Sequence, residues 1–194
     1  MLEEFQRIGR DLFLQGLNSS HSGNMSVRLG DRIIITRRGS SLSNLKEGDL
    51  VETGLEKNDS FITLASTEIV VHREIYQKTA ALAIVHCHAP RCVALSLLED
   101  EIIPVDSEGS YFFHKIPVVA TELTVGSKEA ARLLAQVLKN YKVAVLRGHG
   151  IFAVGQVLEE AYQYASAAEH VCQIICHVRA LDPHYVAKSE YGRW

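Results

Sequence analysis

The sequence has no apolar run near the ~20 residues that a bilayer-spanning helix needs, so no membrane span is expected. It also lacks a Cys-x-x-Cys pair. Its four cysteines, Cys87, Cys92, Cys172 and Cys176, stand in C-x4-C and C-x3-C spacings that match no secreted disulfide framework. Free thiols in a reducing cytoplasm are therefore expected. An excess of positive charge is missing too. The formal net charge is −3, which argues against a nucleic-acid binder that depends on a strong positive field. Met1 is followed by Glu3 and Glu4 and by no long apolar core, so no secretory signal is expected. Internal repeats, low-complexity segments and interior linkers are absent. What remains is 194 residues, 47% apolar and 22% charged, the make-up of an ordinary soluble globular protein. One domain with a substantial core is expected over residues 1–194. Residues 182–194 read as an aperiodic C-terminal tail, whose Tyr185, Tyr191 and Trp194 suggest packing on something such as a neighbouring subunit.

Leu2, Phe5, Ile8, Leu12 and Phe13 recur at helical spacing before a stop at Gly16. A polar loop of small residues, Asn18 to Ser26, follows. Ser26–Leu29 and Arg32–Thr36 flank Gly30-Asp31, a hairpin pattern. Arg37-Arg38-Gly39-Ser40-Ser41 makes a second small-residue loop, and Val51–Leu64 reads as a second hairpin around Asn58-Asp59. A helix is expected from Ser66 or Thr67, as N-cap, to about Lys78. Short strands are expected at Ile102–Val105 and Pro117–Ala120, with a polar loop over Asp106–Tyr111. Ser127 caps an amphipathic helix with Ala130, Leu133, Leu134, Val137 and Leu138 on one stripe. A long helix is expected from Leu158 to about Leu181, with Cys172 and Cys176 on its core stripe and His170 and His177 at the surface or an interface.

Chemistry concentrates after the buried run Ala80–Val85. Side chains alternate along a strand, so His86 and His88 share a face, with Cα atoms about 7 Å apart. Two imidazoles so placed can converge on one cation. They can equally be two half-buried polar residues at a strand end. A second buried strand, Val143–Leu146, ends in Arg147-Gly148-His149-Gly150. Glycine on both sides lets the backbone turn tightly and admits close approach to His149. A third imidazole there completes three protein ligands with room for a substrate atom, the arrangement of a catalytic zinc. Glu68 has two readings. It suits the first turn of its helix through the helix dipole, and it shares a face with His72 at i, i+4. The loops at Ser22–Ser26 and Arg37–Ser41, and the helix start at Ser66-Thr67, can offer N–H groups and hydroxyls to an anion.

Five motifs in order resemble the zinc-dependent class II aldolase family of the L-fuculose-1-phosphate aldolase and L-ribulose-5-phosphate 4-epimerase kind. They are Ser22-Gly23-Asn24-Met25-Ser26, Ile35-Thr36-Arg37-Arg38-Gly39, Ser66-Thr67-Glu68 with His72, His86-Cys87-His88, and Gly148-His149-Gly150. The resemblance covers about residues 5 to 180. It implies an α/β fold in three layers, a mostly antiparallel central sheet with helices on both faces, as in the adducin head. It implies a homotetramer with active sites between subunits. His86, His88 and His149 correspond to the metal ligands, and Glu68 to the acid that serves as general base. Gly23, Asn24, Gly39, Ser66 and Thr67 correspond to the phosphate cradle, which Arg38 also borders. The implied cofactor is Zn2+, with Mn2+ or Co2+ suited to the same donors. The implied reaction cleaves a small ketose phosphate to dihydroxyacetone phosphate and an aldehyde through a zinc-stabilised enediolate.

The chain departs from that aldolase at His21 and Arg38, where the family has small hydroxylated residues. It also lacks the tyrosine that the family supplies from a neighbouring subunit as proton donor; Ser107, Glu108, Tyr111 and His114 are the candidates nearby. A sugar-phosphate 4-epimerase or a ketose-phosphate dehydratase would use the same chemistry. The family's epimerase carries aspartate at the position of Glu68, which favours the aldolase. A non-catalytic adducin-head-like interaction module would not need the three histidines that this chain keeps.

Overall fold

Apolar side chains alternate between two cores along the central strands, and this alternation sets the architecture. The structure, a computed structural model, describes residues 1–186. In chain order its elements are α1 (Leu2–Leu14), β1 (Asn24–Leu29), β2 (Arg32–Thr36), β3 (Leu50–Gly54), α2 (Ile69–Lys78), β4 (Ala83–Cys87), α3 (Pro90–Ser96), β5 (Glu101–Ile102), α4 (Ser107–Phe112), β6 (Ile116–Val119), α5 (Lys128–Val137), β7 (Val143–Leu146), β8 (Gly150–Gly155) and α6 (Leu158–Leu181). The strands form one eight-stranded sheet in the order β3-β2-β1-β4-β8-β7-β6-β5.

On β4, Ala83, Val85 and Cys87 face one core and Ile84 the other. On β8, Ile151 and Ala153 oppose Phe152 and Val154 in the same way. A sheet that is apolar on both faces must be covered on both. Here α1, α3 and α6 cover one face, and α2 with α5 covers the other. Helix α6 approaches closely because its inward stripe, Ala161, Ala165 and Ala168, is small and fully buried. The three-layer expectation is met, with one amendment: the sheet is mixed. β6 and β7 pair in parallel, while the other neighbours are antiparallel.

Four local expectations change, the first being that the strand expected over Ile102–Val105 is only Glu101–Ile102. The second hairpin does not form, because only β3 of the pair is a strand and residues 60–64 are turns. Asp59 accepts from Thr53 Oγ1 and from the Phe61 N–H, while the Arg73 guanidinium reaches Gly54 O and Asn58, so the chain folds around these groups. Phe61 and Leu64 stay exposed and offer no face to bury. Asp106–Tyr111 is not a loop: Asp106 caps α4 by accepting the Gly109 N–H at 2.8 Å. Neither Ser66 nor Thr67 is the N-cap of α2; Glu68 holds that position and makes no side-chain capping bond.

Cys87, Cys92 and Cys172 are buried free thiols, as expected, and Cys176 is partly exposed. His170 and His177 are at the surface. Among the described residues no helix is long and apolar enough to cross a membrane. Of the tail aromatics, Tyr185 is exposed, and Tyr191 and Trp194 lie outside the described residues.

Candidate metal centre and active site

The sheet register brings the three histidines together at one end of the interior strands β4, β7 and β8. His86 pairs with Phe152 of β8 on one side and with Asn24 of β1 on the other. Its ring stacks on Phe152 at 4.1 Å between centroids. His88 lies just beyond the end of β4, on the same side. His149 sits in the tight turn from β7 into β8, where Gly148 takes φ +68°. Gly150 is glycine for a steric reason. A Cβ there would stand 2.5 Å from Cys87 O and 3.2 Å from the rings of His86 and His88. That contact lets two distant segments close on each other.

The three rings face one point. His86 Nε2 is 3.1 Å from His88 Nε2 and 3.2 Å from His149 Nε2, and the candidate donor atoms all lie within 4.8 Å of one another. A tetrahedral zinc with N–metal bonds near 2.05 Å would set its nitrogens about 3.3 Å apart, so the spacing fits an ion at the centre. His86 Nδ1 is 2.8 Å from Ile151 O, which holds the proton on Nδ1 and leaves Nε2 as a lone-pair donor. Burial holds all three imidazoles in the neutral form that binds metals. His86 is pushed well below the usual imidazole value by burial and then by its two neighbours. His88 is lowered by burial, and His149 is lowered to about 4 by burial and then by His88.

Glu68 stands beside this cluster, with Oε1 3.9 Å from His149 Nε2. Oε1 accepts the Gly126 N–H at 3.1 Å, while Oε2 is buried with no partner among the described residues. Burial raises its pKa to about 7, against the opposing pull of that N–H. The carboxylate bonds to the Gly126 N–H and makes no capping bond to its own helix. His72 is not part of the cluster. It is fully buried, with Nδ1 2.6 Å from Ser26 Oγ, and Ser26 Oγ is 2.7 Å from Tyr76 OH.

A cavity of about 180 Å3 joins the histidines and Glu68 to all six residues expected to bind phosphate: Gly23, Asn24, Arg38, Gly39, Ser66 and Thr67. His21 and Arg37 line it too. Ser66 and Asn24 are buried and Arg38 is exposed. Asn24 Oδ1 is buried without a partner among the described residues. Ser107, Glu108, Tyr111 and His114 do not line this cavity, and Tyr111 is 74% exposed. A larger cavity, about 770 Å3 between α1, α4 and α6, holds none of the three histidines. Size does not mark the site; converging nitrogens and an unpaired buried carboxylate oxygen do.

The sequence of the chain matches the family model for the class II aldolase and adducin N-terminal domain over residues 3–176. The chain belongs to that family. It is 33% identical over 181 residues to the L-fuculose phosphate aldolase of Escherichia coli (strain K12), spanning 90% of this chain and 82% of that protein. The L-fuculose phosphate aldolase of Methanococcus maripaludis is 32% identical over 174 residues, 89% of this chain and 94% of that one. Among solved structures, the L-fuculose-1-phosphate aldolase from Thermus thermophilus superposes with a TM-score of 0.90 at 37% identity, covering 96% of this chain and 98% of that one. This protein is therefore a class II aldolase, an enzyme of the lyase class.

Two buried residues around the site escaped the reading of the sequence. Ser96, at the end of α3, accepts the Gly148 N–H at 3.0 Å and so ties α3 to the His149 turn. Glu169 of α6 accepts the Arg91 and Cys92 N–H groups and caps α3 just after His88. Neither belongs to a recognisable motif. Glu169 does sit one residue from the alanine stripe of α6, a charge beside a core-facing position, and that was the available signal.

Proposed function

We propose that this class II aldolase cleaves a small ketose phosphate, of the L-fuculose-1-phosphate type, to dihydroxyacetone phosphate and an aldehyde. The observation that carries this reading is the meeting of His86, His88 and His149 beside the unpaired Oε2 of Glu68, in a cavity that continues to the Gly23, Gly39 and Ser66 segments. Three imidazoles would hold a divalent ion, proposed as zinc, with manganese and cobalt suited to the same donors. Such an ion supplies Lewis acidity toward the negative charge that develops as the carbon–carbon bond breaks.

The chain's own groups do the rest. Gly23, Asn24, Arg38, Gly39, Ser66 and Thr67 bind the phosphate through N–H, hydroxyl and guanidinium donors, which orients the far end of the sugar toward Glu68. In the synthetic direction Glu68 acts as general base and removes the carbon-bound proton of the three-carbon ketone. In cleavage its protonated form returns that proton to the same carbon. Burial favours the protonated form of Glu68, and a cation held by the three imidazoles would favour the carboxylate, opposing influences that suit a group required in both forms. The proton on the aldehyde oxygen needs a second group. Since Tyr111 and its neighbours do not line the cavity, we assign that donor to an adjoining copy in a homotetramer, with the active site completed between subunits. Residues 1–194 are read as a single catalytic domain working in the cytoplasm.

The test is product analysis by NMR on a panel of ketose 1-phosphates and pentulose 5-phosphates with the zinc-loaded protein. Release of dihydroxyacetone phosphate and an aldehyde supports the proposal. Exclusive formation of a 4-epimer or a dehydrated ketone overturns it.

A further inference from the structure

The backbone N–H of His88 lies just past the end of its strand and is half-buried. The β4–β8 ladder ends at the pair Cys87–Ile151, so the sheet does not hold the His88 N–H. That N–H donates instead to Asn18 Oδ1 at 3.1 Å. Asn18 follows α1, seventy residues away in sequence, and is only 7% exposed. The same oxygen also meets the anion loop, while Nδ2 is buried with no partner among the described residues. Ser22 Oγ lies 3.5 Å from Asn18 Oδ1, and the Ser19 N–H donates to Ser22 Oγ at 2.8 Å. Gly23 has φ +77°, and a Cβ there would stand 2.6 Å from both amide heavy atoms of Asn18 and 2.7 Å from His86 O. The loop backbone thus lies flat against the Asn18 amide and the strand carrying His86. Asn18 itself does not line the cavity.

We propose that Asn18 is a positioning residue that pins the anion loop Ser22–Asn24 to His88, so that the metal ligands and the phosphate-binding backbone keep one fixed separation. The physical reason is the supply of partners. Past the end of a strand, a half-buried N–H must find a side-chain acceptor, or the segment re-registers to reach water. Among the described residues one acceptor meets that N–H, and it also forms the floor under Gly23. The β1–β4 ladder already ties Asn24 to His86, and past the ladder's end the Asn18 amide is what ties the loop to His88. This inference rests on the metal and phosphate reading above.

The test uses the full-length protein, stripped of metal by a chelator. Zinc affinity is read by chelator competition, the coordination geometry by the visible spectrum of the cobalt-loaded form, and anion binding with inorganic phosphate. Asn18→Leu keeps the volume and removes the acceptor. It is expected to weaken zinc and phosphate binding each about tenfold, to alter the cobalt spectrum, and to raise KM while lowering kcat. Asn18→Asp keeps an acceptor for the His88 N–H and is expected to bind zinc at least as tightly as the unaltered chain. Should Asn18→Leu fail to fold, Asn18→Ser, too short to reach His88, is expected to show the same double loss. A purely structural role would lower the melting temperature without moving affinities measured well below it. Unchanged zinc and phosphate affinities in a folded Asn18→Leu or Asn18→Ser protein overturn the role of Asn18 alone. An unaltered chain without affinity for zinc, cobalt or manganese overturns the metal reading and this inference together.

Discussion

Two buried histidine groups lie on the same face of the sheet, both against Phe152, and they are built in opposite ways. His72 is fully enclosed, and its Nδ1 is taken up by Ser26, which is in turn bonded to Tyr76. His86, His88 and His149 turn their nitrogens toward one another, and among the described residues only the outer Nδ1 of His86 is held, by Ile151 O. Burial is common to both, and it lowers the imidazole pKa in both. What separates them is where the lone pairs point. In the first group Nδ1 joins a short polar chain through Ser26 to Tyr76 that locks α2 to β1, while Nε2 is buried with no partner among the described residues. In the second, ring nitrogens converge on one point, an arrangement that could hold a cation. The difference between a core histidine and a ligand histidine therefore lies in whether several ring nitrogens meet at one point, not in whether each has a partner.

The comparison can be broken first at the open cluster. His88→Ala leaves two imidazoles, and we expect the purified protein to retain little zinc and to lose about a thousandfold or more in turnover. Metal content by atomic emission and a dihydroxyacetone phosphate assay check both. Next in size, Glu68→Gln keeps the three nitrogens but removes the proton-transfer group. Metal content is expected to stay, while kcat falls by about 100-fold to 10,000-fold. An active Glu68→Gln protein would remove Glu68 from the chemistry.

The closed group is expected to report on stability and its pH dependence. His72 has its pKa lowered to about 3 by burial, against about 6.5 in an unfolded chain. Between those values the unfolded state binds a proton that the folded state does not. Stability is therefore intact above about pH 6.5 and falls on acidification, by up to about 1.4 kcal/mol per pH unit from this group. Urea unfolding of the metal-free protein at pH 7 and pH 5 should show a shallower loss in His72→Asn than in the unaltered chain. Equal slopes would mean that His72 does not stay neutral when folded. The smallest expected effect lies outside both groups. Ser127 accepts the Ala130 N–H at 3.0 Å as the N-cap of α5, so Ser127→Ala should cost about 1 kcal/mol of stability and leave zinc affinity unchanged.

Much of this was legible in the chain itself. The helix at α1, the hairpin of β1 and β2, the helix α5 from Ser127 and the long stripe of α6 follow from periodicity, turn residues and caps. All of these are local. The pairing of His86 with His88 was legible for the same reason, since two-residue spacing on a strand fixes a shared face. The second hairpin misled because Asn58-Asp59 looks like a turn between strands. Its far arm is instead drawn out of the sheet by Arg32 and Arg73, partners that sequence spacing cannot show. Strand β8 went unread beyond its first glycine, although it is the strand on which His86 rests.

The amino-acid order by itself determined which residues could do the chemistry: two histidines on one strand face, a third between glycines, and an acid at the start of a helix. The tertiary structure alone decided that these segments meet, that Glu68 turns from its helix toward Gly126, that His72 stays out, and that Asn18 lies beneath the loop at Gly23. Those outcomes depend on strand order, register and side-chain hydrogen bonds across 46 to 70 residues of sequence, and no local rule reaches that far.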